Sequence, residues 1–287
     1  MKWFDYQAPR TLGEAVEAMT LHPTARALAG GTDLLVQMRA GRRTPDLIVD
    51  IKKIPELNQL HYEPGIGLTL GAAVPCYRIY NDTAVSRAYP SLAEVANIIG
   101  GTQIQGRASI GGNLCNAAPS ADAIPLLIAL GATCRLVGPG GERTISVDQF
   151  CTAPGENSLR LGELLVSIHI PQTPAHGGAR YLRFIPRNEM DIAVAGAGVS
   201  VVMENGNIQS ARIALSAVAP IPLPVDAASL AGQPADDATL AKAGELAAAA
   251  AKPITDMRGT ADYRRHLCAV LTRRAMASAI AAAKESK

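Results

Sequence analysis

Apolar residues recur along the chain at two spacings, and together they predict a sequence of short elements. Leu12, Ala15, Val16 and Met19 fall three or four apart, the spacing of one helix face. Thr11-Leu12-Gly13-Glu14 ahead of them has the form of a capping box, and His22-Pro23 ends the helix. Arg26 to Ala29 and Leu47 to Ile51 are short apolar runs of strand type, so the first 55 or so residues form a small αβ unit. A second unit starts with a strand at Leu68 to Ala72. Ser91-Leu92-Ala93-Glu94 predicts another capping box, opening a helix that turns Leu92, Val95, Ala96 and Ile99 to one side. An apolar helix follows near Ile124 to Leu130, a turn at Val137 to Glu142, and a strand at Glu163 to Pro171 halted by its proline.

Pro171 to Gly178 reads as a linker. Beyond it, three strand-like runs occupy Ala179–Ile185, Ile192–Met203 and Ile208–Ala217, with hairpin-turn chemistry at Glu204-Asn205-Gly206-Asn207. The tail is helical, at Leu240 to Ala251 and Thr260 to Lys284. The pattern predicts an α+β protein: a two-part domain over 1–174, with parts of about 1–55 and 56–174, then a domain of three strands plus helices over 175–287.

Composition narrows the function. Of 287 residues, 48% are hydrophobic and 18% charged, which excludes a disordered polyelectrolyte. Lys and Arg number 27 against 25 Asp and Glu, too even for a dedicated nucleic-acid binder with its basic stripe. No run approaches a membrane span, the N-terminus has no apolar signal-peptide core, and the chain is expected to be cytoplasmic. The five cysteines (Cys76, Cys115, Cys134, Cys151 and Cys268) include no C-x-x-C pair, so zinc-ribbon, thioredoxin and four-cysteine iron–sulfur sites are not supported. Only 4% of residues are aromatic while glycines number 26, an odd balance for a binder of planar ligands.

Two glycine clusters carry the candidate chemistry. Ala27-Leu28-Ala29-Gly30-Gly31-Thr32-Asp33-Leu34 and Ser109-Ile110-Gly111-Gly112-Asn113, the second running on to Asp122, each set paired glycines beside small polar side chains after an apolar run. Glycine allows a positive φ and brings backbone N–H groups close to an anion. Thr32 and Asn113 add hydrogen bonds without bulk, and Asp122 suits the hydroxyls of a ribose or ribityl chain. Two such loops could clamp a long ligand containing a pyrophosphate. Neither a P-loop nor a G-x-G-x-x-G turn opening a helix is present. Gly140-Gly141 and Gly177-Gly178 read as plain turns, and Gly196-Ala197-Gly198 reads as close packing inside a strand.

The segments AGGTDLL and SIGGNLCNAAPSAD resemble the two flavin-binding signatures of the FAD-binding medium subunit of molybdenum hydroxylases, the family of xanthine dehydrogenase and the aerobic carbon monoxide dehydrogenase flavoprotein. The likeness extends to FDYQAP…LGEAVEAM, ELLVSIHIP, RYLRFIPRNEMDIAVAG and ARIALSAVAPIPL. It implies a two-part FAD domain of the PCMH type followed by an α/β domain. Ala27 to Leu34 would wrap the FAD pyrophosphate through main-chain N–H groups, and Ser109 to Asn113 would form a second loop along the ribityl and pyrophosphate region. Asp122 falls on a carboxylate that contacts FAD, Leu165 on a residue lining the flavin, and Arg183 where a lysine often lies near the cofactor. Ile99 and Gly101 join this set, with Ile99 standing where some relatives stack a phenylalanine on the ring.

The resemblance further implies a three-subunit oxidoreductase. A large partner would hold molybdopterin and a small partner two [2Fe–2S] clusters, with electrons leaving this chain's FAD for NAD⁺, oxygen or another acceptor. No catalytic side chain and no metal ligand is expected on this chain, since the cofactor carries the chemistry. Two other readings are a self-contained flavin oxidase and a non-enzymatic scaffold; the short length counts against the first and the intact glycine loops against the second. Cys115 reads as a small structural residue rather than a nucleophile. Arg264-Arg265 and Arg273-Arg274 read as a solvated helix face, with a partner-docking surface as the alternative.

Overall fold

The computed structural model describes residues 2–286. In the first unit, β1 (Asp5–Gln7), α1 (Leu12–Leu21), β2 (Arg26–Leu28), α2 (Leu34–Arg39) and β3 (Leu47–Asp50) form a parallel sheet in the order β1-β3-β2. The central strand β3 is buried along its length, which is why it reads Leu-Ile-Val without alternation. The α1 capping box forms: Thr11 Oγ1 accepts the Glu14 N–H at 3.2 Å, and Glu14 reaches back to the N–H of Arg10.

The second unit holds the strands β4 (Leu60–Glu63) and β5 (Gly67–Gly71) and a run of short helices. These are α3 (Cys76–Asn81), α4 (Thr83–Ala88), α5 (Pro90–Ile98), α6 (Thr102–Gln105), α7 (Ile110–Asn116) and α8 (Ala123–Ala129). It continues through β6 (Thr133–Gly138), β7 (Gly141–Ser146), the small β8 (Cys151–Ala153) and β9 (Glu156–Asn157) ribbon, and β10 (Leu164–Pro171). An antiparallel sheet runs β4-β5-β10-β6-β7. The expected Ser91 capping box is not formed. Pro90 opens α5 behind Tyr89, and the Ser91 hydroxyl donates instead to the distant Ala179 carbonyl.

The third unit comprises β11 (Gly177–Phe184), β12 (Ala195–Glu204), β13 (Asn207–Ser216), β14 (Leu223–Val225), α9 (Asp237–Ala250) and α10 (Ala261–Glu285). To the three anticipated strands it adds β14 at the sheet edge. The hairpin turn forms with Asn205 at φ 50° and Gly206 at φ 84°, the left-handed pair that a two-residue connection of this type requires. Gly177 and Gly178 are not a turn: they open β11, and a β-carbon on Gly178 would strike the carbonyl of Ala279 in α10. Arg264 is no part of a solvated face either. It is 4% exposed, and its guanidinium bonds Val194, Ala217 and Asp256, while Arg273 and Arg274 are exposed.

Three apolar clusters form, one centred on each unit; the first also takes in Ala73, Leu164 and Val166, and the second takes in Tyr181. Helix α8 packs against β12 and β13 of the third unit, and it is apolar all round because all of it but the half-buried Ile128 is covered. Gly198 of β12 allows that contact: a β-carbon there would lie 2.5 Å from the Pro125 carbonyl carbon and 2.7 Å from the Leu126 nitrogen. The close-packing reading of the Gly196–Gly198 run therefore holds. Gly198→Val should destabilise the protein by about 2–3 kcal/mol, seen as a lowered thermal midpoint. Gly140→Ala, which enters open space, should stay within about 0.5 kcal/mol of the native protein. Equal midpoints for the two variants would reject this packing.

Candidate functional site

A cleft of about 950 Å³ opens where the units meet. Its walls are the turn after β2, the start of α7, the 155–165 segment leading into β10, and residues 191–193 ahead of β12. The size suits a cofactor or small-molecule site.

The turn after β2 is held by backbone. Gly30 lies so close to the α6–α7 turn that a β-carbon would overlap the Arg107 carbonyl, and Arg107 Nε donates 3.1 Å to the Gly30 carbonyl. Gly31 has φ 77°, the left-handed region that favours glycine. Gln37 Nε2 donates 2.8 Å to Asn116 Oδ1, tying α2 to α7 across the cleft floor. Among the described residues, the main-chain N–H groups of Gly30, Gly31, Thr32, Asp33 and Leu34 donate to no protein acceptor. Unpaired N–H groups gathered on one turn make an anion cradle.

The second cluster differs from the expected loop. Ser109 caps α7, its Oγ accepting the Gly112 N–H at 2.9 Å, and Gly111, Gly112 and Asn113 are helical. Gly111 is required by packing, since a β-carbon there would overlap the Ala72 carbonyl. Asn113 faces the cleft, and its Oδ1 is buried without a hydrogen-bond partner. Such an orphan is expensive to keep unless something meets it.

Of the residues singled out from the sequence, Ala27 to Leu34, Ile99, Ser109, Gly111, Gly112, Asn113, Asp122 and Leu165 line the cleft. Ile110, Gly101 and Arg183 do not. Ile110 is fully buried in the core, and Gly101 abuts the Met190 side chain. Arg183 sits behind the wall, where Nη1 pairs with Asp122 and Nη2 donates to the Ile98 carbonyl. Asp122 also accepts from Tyr181 Oη at 2.8 Å, so both carboxylate oxygens already have protein partners. Burial pushes the Asp122 carboxyl above its usual range, against the pull of Arg183. A β-bulge between Leu165 and Ser167 breaks the pairing with β6 where Leu164 and Leu165 meet the cleft.

Several lining residues carried no local signal in the sequence. Arg26 and Arg43 both face the cleft, and neither has a carboxylate partner among the described residues. Arg43 donates 3.1 Å to the Gly155 carbonyl, while burial, then the charge of Arg43, lowers the Arg26 pKa. Asp191, Ile192 and Ala193 close the far side. Cys115 lines the cleft with its thiol pushed up to about 12 by burial, as suits a structural residue rather than a thiolate.

The lip at 158–163 is set by one charged contact. Glu163 accepts from Arg143 Nε at 2.8 Å and Nη2 at 2.7 Å, and from the Arg160 N–H at 2.7 Å. Those bonds, led by Arg143, hold its carboxyl below the ordinary range despite burial.

Two family models cover the chain. The FAD binding domain in molybdopterin dehydrogenase matches residues 2–173, and the CO dehydrogenase flavoprotein C-terminal domain matches residues 180–279. The chain is 34% identical over 284 residues to the carbon monoxide dehydrogenase medium chain of Afipia carboxidovorans, covering 98% of each. It is 32% identical over 281 residues to a xanthine dehydrogenase FAD-binding subunit of Escherichia coli O157:H7, covering 97% of this chain and 96% of that one. A chain of carbon monoxide dehydrogenase from Hydrogenophaga pseudoflava superposes with a TM-score of 0.93 at 34% identity, over 98% of both.

A folded pKa below the unfolded value of about 4.3 means that Glu163 stabilises the protein above that pH and loses its contribution as pH falls through the folded value. Glu163→Gln should cost about 2 kcal/mol at neutral pH. Urea unfolding across a pH series should show that gap closing below about pH 4; a gap independent of pH would contradict this account.

Proposed function

The chain belongs to the family of FAD-binding subunits of molybdenum hydroxylases, and from that premise we propose that its cleft holds FAD and passes electrons between a partner's iron–sulfur clusters and an external acceptor. The observation that carries the reading is the orphaned Asn113 Oδ1, buried opposite a turn whose N–H groups are also unpaired. A dinucleotide has the matching inventory: phosphate oxygens for the N–H groups of residues 30–34, and hydroxyl donors for a lone acceptor. Arg26 and Arg43 add positive charge that no carboxylate among the described residues neutralises.

In this reading the chain binds and orients, and the flavin, when bound, stores electrons that it accepts from one donor and returns to another. The residues 30–34 turn would hold the pyrophosphate. Ile99, Leu164, Leu165 and Ile192 offer aliphatic surface to an apolar ring and keep water from it. Asp122 would face the ligand with Arg183 and Tyr181 fixing its carboxylate from behind. No lining side chain is needed as an acid or base.

The partners follow from the family: a large subunit with molybdopterin and a small one with two [2Fe–2S] clusters, to which this chain would supply the electron outlet. We place the boundary between the flavin domain and the C-terminal domain at 174/175, within the connection between β10 and β11. Among the described residues no helix is long and apolar enough to cross a membrane, and a cytoplasmic site fits the reduced cysteines.

Asn113→Leu tests the assignment. Removing an unpartnered buried oxygen should leave thermal stability equal or higher, while FAD affinity, followed by flavin fluorescence, should fall about tenfold. A native chain that takes up no FAD would overturn the reading. A variant that keeps full FAD affinity would remove Asn113 from the site.

A further inference from the structure

The cleft is built mainly by the first two units, yet part of its far wall belongs to the third. Residues 191–193 lead into β12, and the stretch from Ala118 to Asp122 contacts the end of β13. One buried side chain touches the backbone behind both. Arg264, in the first turn of α10, donates from Nη1 to the Val194 carbonyl at 2.7 Å and to the Ala217 carbonyl at 3.1 Å. Its Nη2 donates 2.6 Å to Asp256 Oδ1, which keeps the charge neutralised. Arg264 Nε, by contrast, is buried without a partner.

Ala217 is the second observation. It sits at φ 63°, a left-handed conformation that costs a residue with a β-carbon and persists only where the surroundings determine it. Here they do so from both sides: its carbonyl accepts from Arg264, and its N–H donates 2.7 Å to the Pro119 carbonyl. Pro119 lies inside the second glycine-cluster segment, between Ala118 and Ser120 of the cleft wall. A chain of contacts therefore runs from α10 through the strained Ala217 peptide to one wall, and through Val194 to the other.

We propose that Arg264 is a positioning residue for the cleft, holding the Ala118–Asp122 wall through Ala217 and the 191–193 wall through Val194. The proposal rests on the flavin reading for its ligand. It assigns to the C-terminal domain a role in cofactor retention besides its own packing. A planar guanidinium suits the task, because it spans two carbonyls and a carboxylate that a lysine ammonium at the same position would not reach together.

The test uses the full chain with Arg264→Met and Arg264→Lys. FAD titration should give dissociation constants raised about tenfold or more for both Arg264 variants, matching loss of charged hydrogen bonds. Hydrogen exchange without FAD should quicken in 118–122 and 191–195 of the Arg264 variants, while the 200–210 hairpin keeps native protection. Native FAD affinity in a folded Arg264→Lys variant would overturn the proposal, as would exchange quickened evenly across the C-terminal sheet. Should Arg264→Met fail to fold, the lysine variant decides alone. Failure of the native chain to bind FAD would refute the flavin reading, and the exchange pattern would still decide whether Arg264 positions these walls.

Discussion

Gly30 has no room for a β-carbon because the Arg107 carbonyl occupies that space, and the remaining geometry of the cleft follows from this contact between two backbones. It brings the turn after β2 against the start of the α7 segment, two stretches almost eighty residues apart, with no side chain intervening. The Arg107–Gly30 and Gln37–Asn116 hydrogen bonds then set the register. Side chains held at such a distance would flex. Main chain packed on main chain does not, so the unpaired N–H groups of residues 30–34 are preorganised for an anion before one arrives.

Buried charge is used in the same molecule as a strut rather than as a reagent. Asp122 with Arg183, Glu163 with Arg143, and Asp256 with Arg264 each join segments that the apolar clusters alone would not align. Such pairs are poor sources of net stability, since desolvation offsets much of their attraction. Their worth is directional: Arg183 and Arg143 fix the Asp122 and Glu163 carboxylates on the cleft wall, and Arg264 fixes the Val194 and Ala217 carbonyls behind it. Arg26, Arg43 and Arg160, by contrast, face the space itself with no carboxylate partner among the described residues.

The scarcity of aromatic residues, at first sight wrong for a planar ligand, is consistent with this arrangement. Ile99, Leu164, Leu165 and Ile192 line the cleft with aliphatic surface. In the proposed function the ligand's grip comes from its phosphates and hydroxyls, so stacking is not needed to retain it. Gly31 spends its conformational freedom on the cradle, whereas Gly111 and Gly198 spend their missing side chains on close packing. Much of the high glycine content is therefore architecture.

The periodic elements were legible in the sequence because burial of one face imposes its spacing on any chain that folds. Hence α1 with its Thr11 cap, the hairpin turn at Asn205-Gly206, and the all-apolar α8 were each recognisable. The two signatures also marked two of the cleft's walls, since short motifs of glycine and small polar residues are local. What sequence could not decide was the use of each group across a distance. Ser91 looks like a helix cap but bonds Ala179; Arg264 looks solvated but is buried; Arg183 looks like a cofactor contact but stands behind Asp122. Arg43 joined the site with no local mark, and residues 191–193 were marked only as part of the family-like segment RYLRFIPRNEMDIAVAG. A residue's type and spacing fix which partners it is able to take. Only the packing of three separate cores determines which partner arrives, because that choice depends on distances no local pattern encodes.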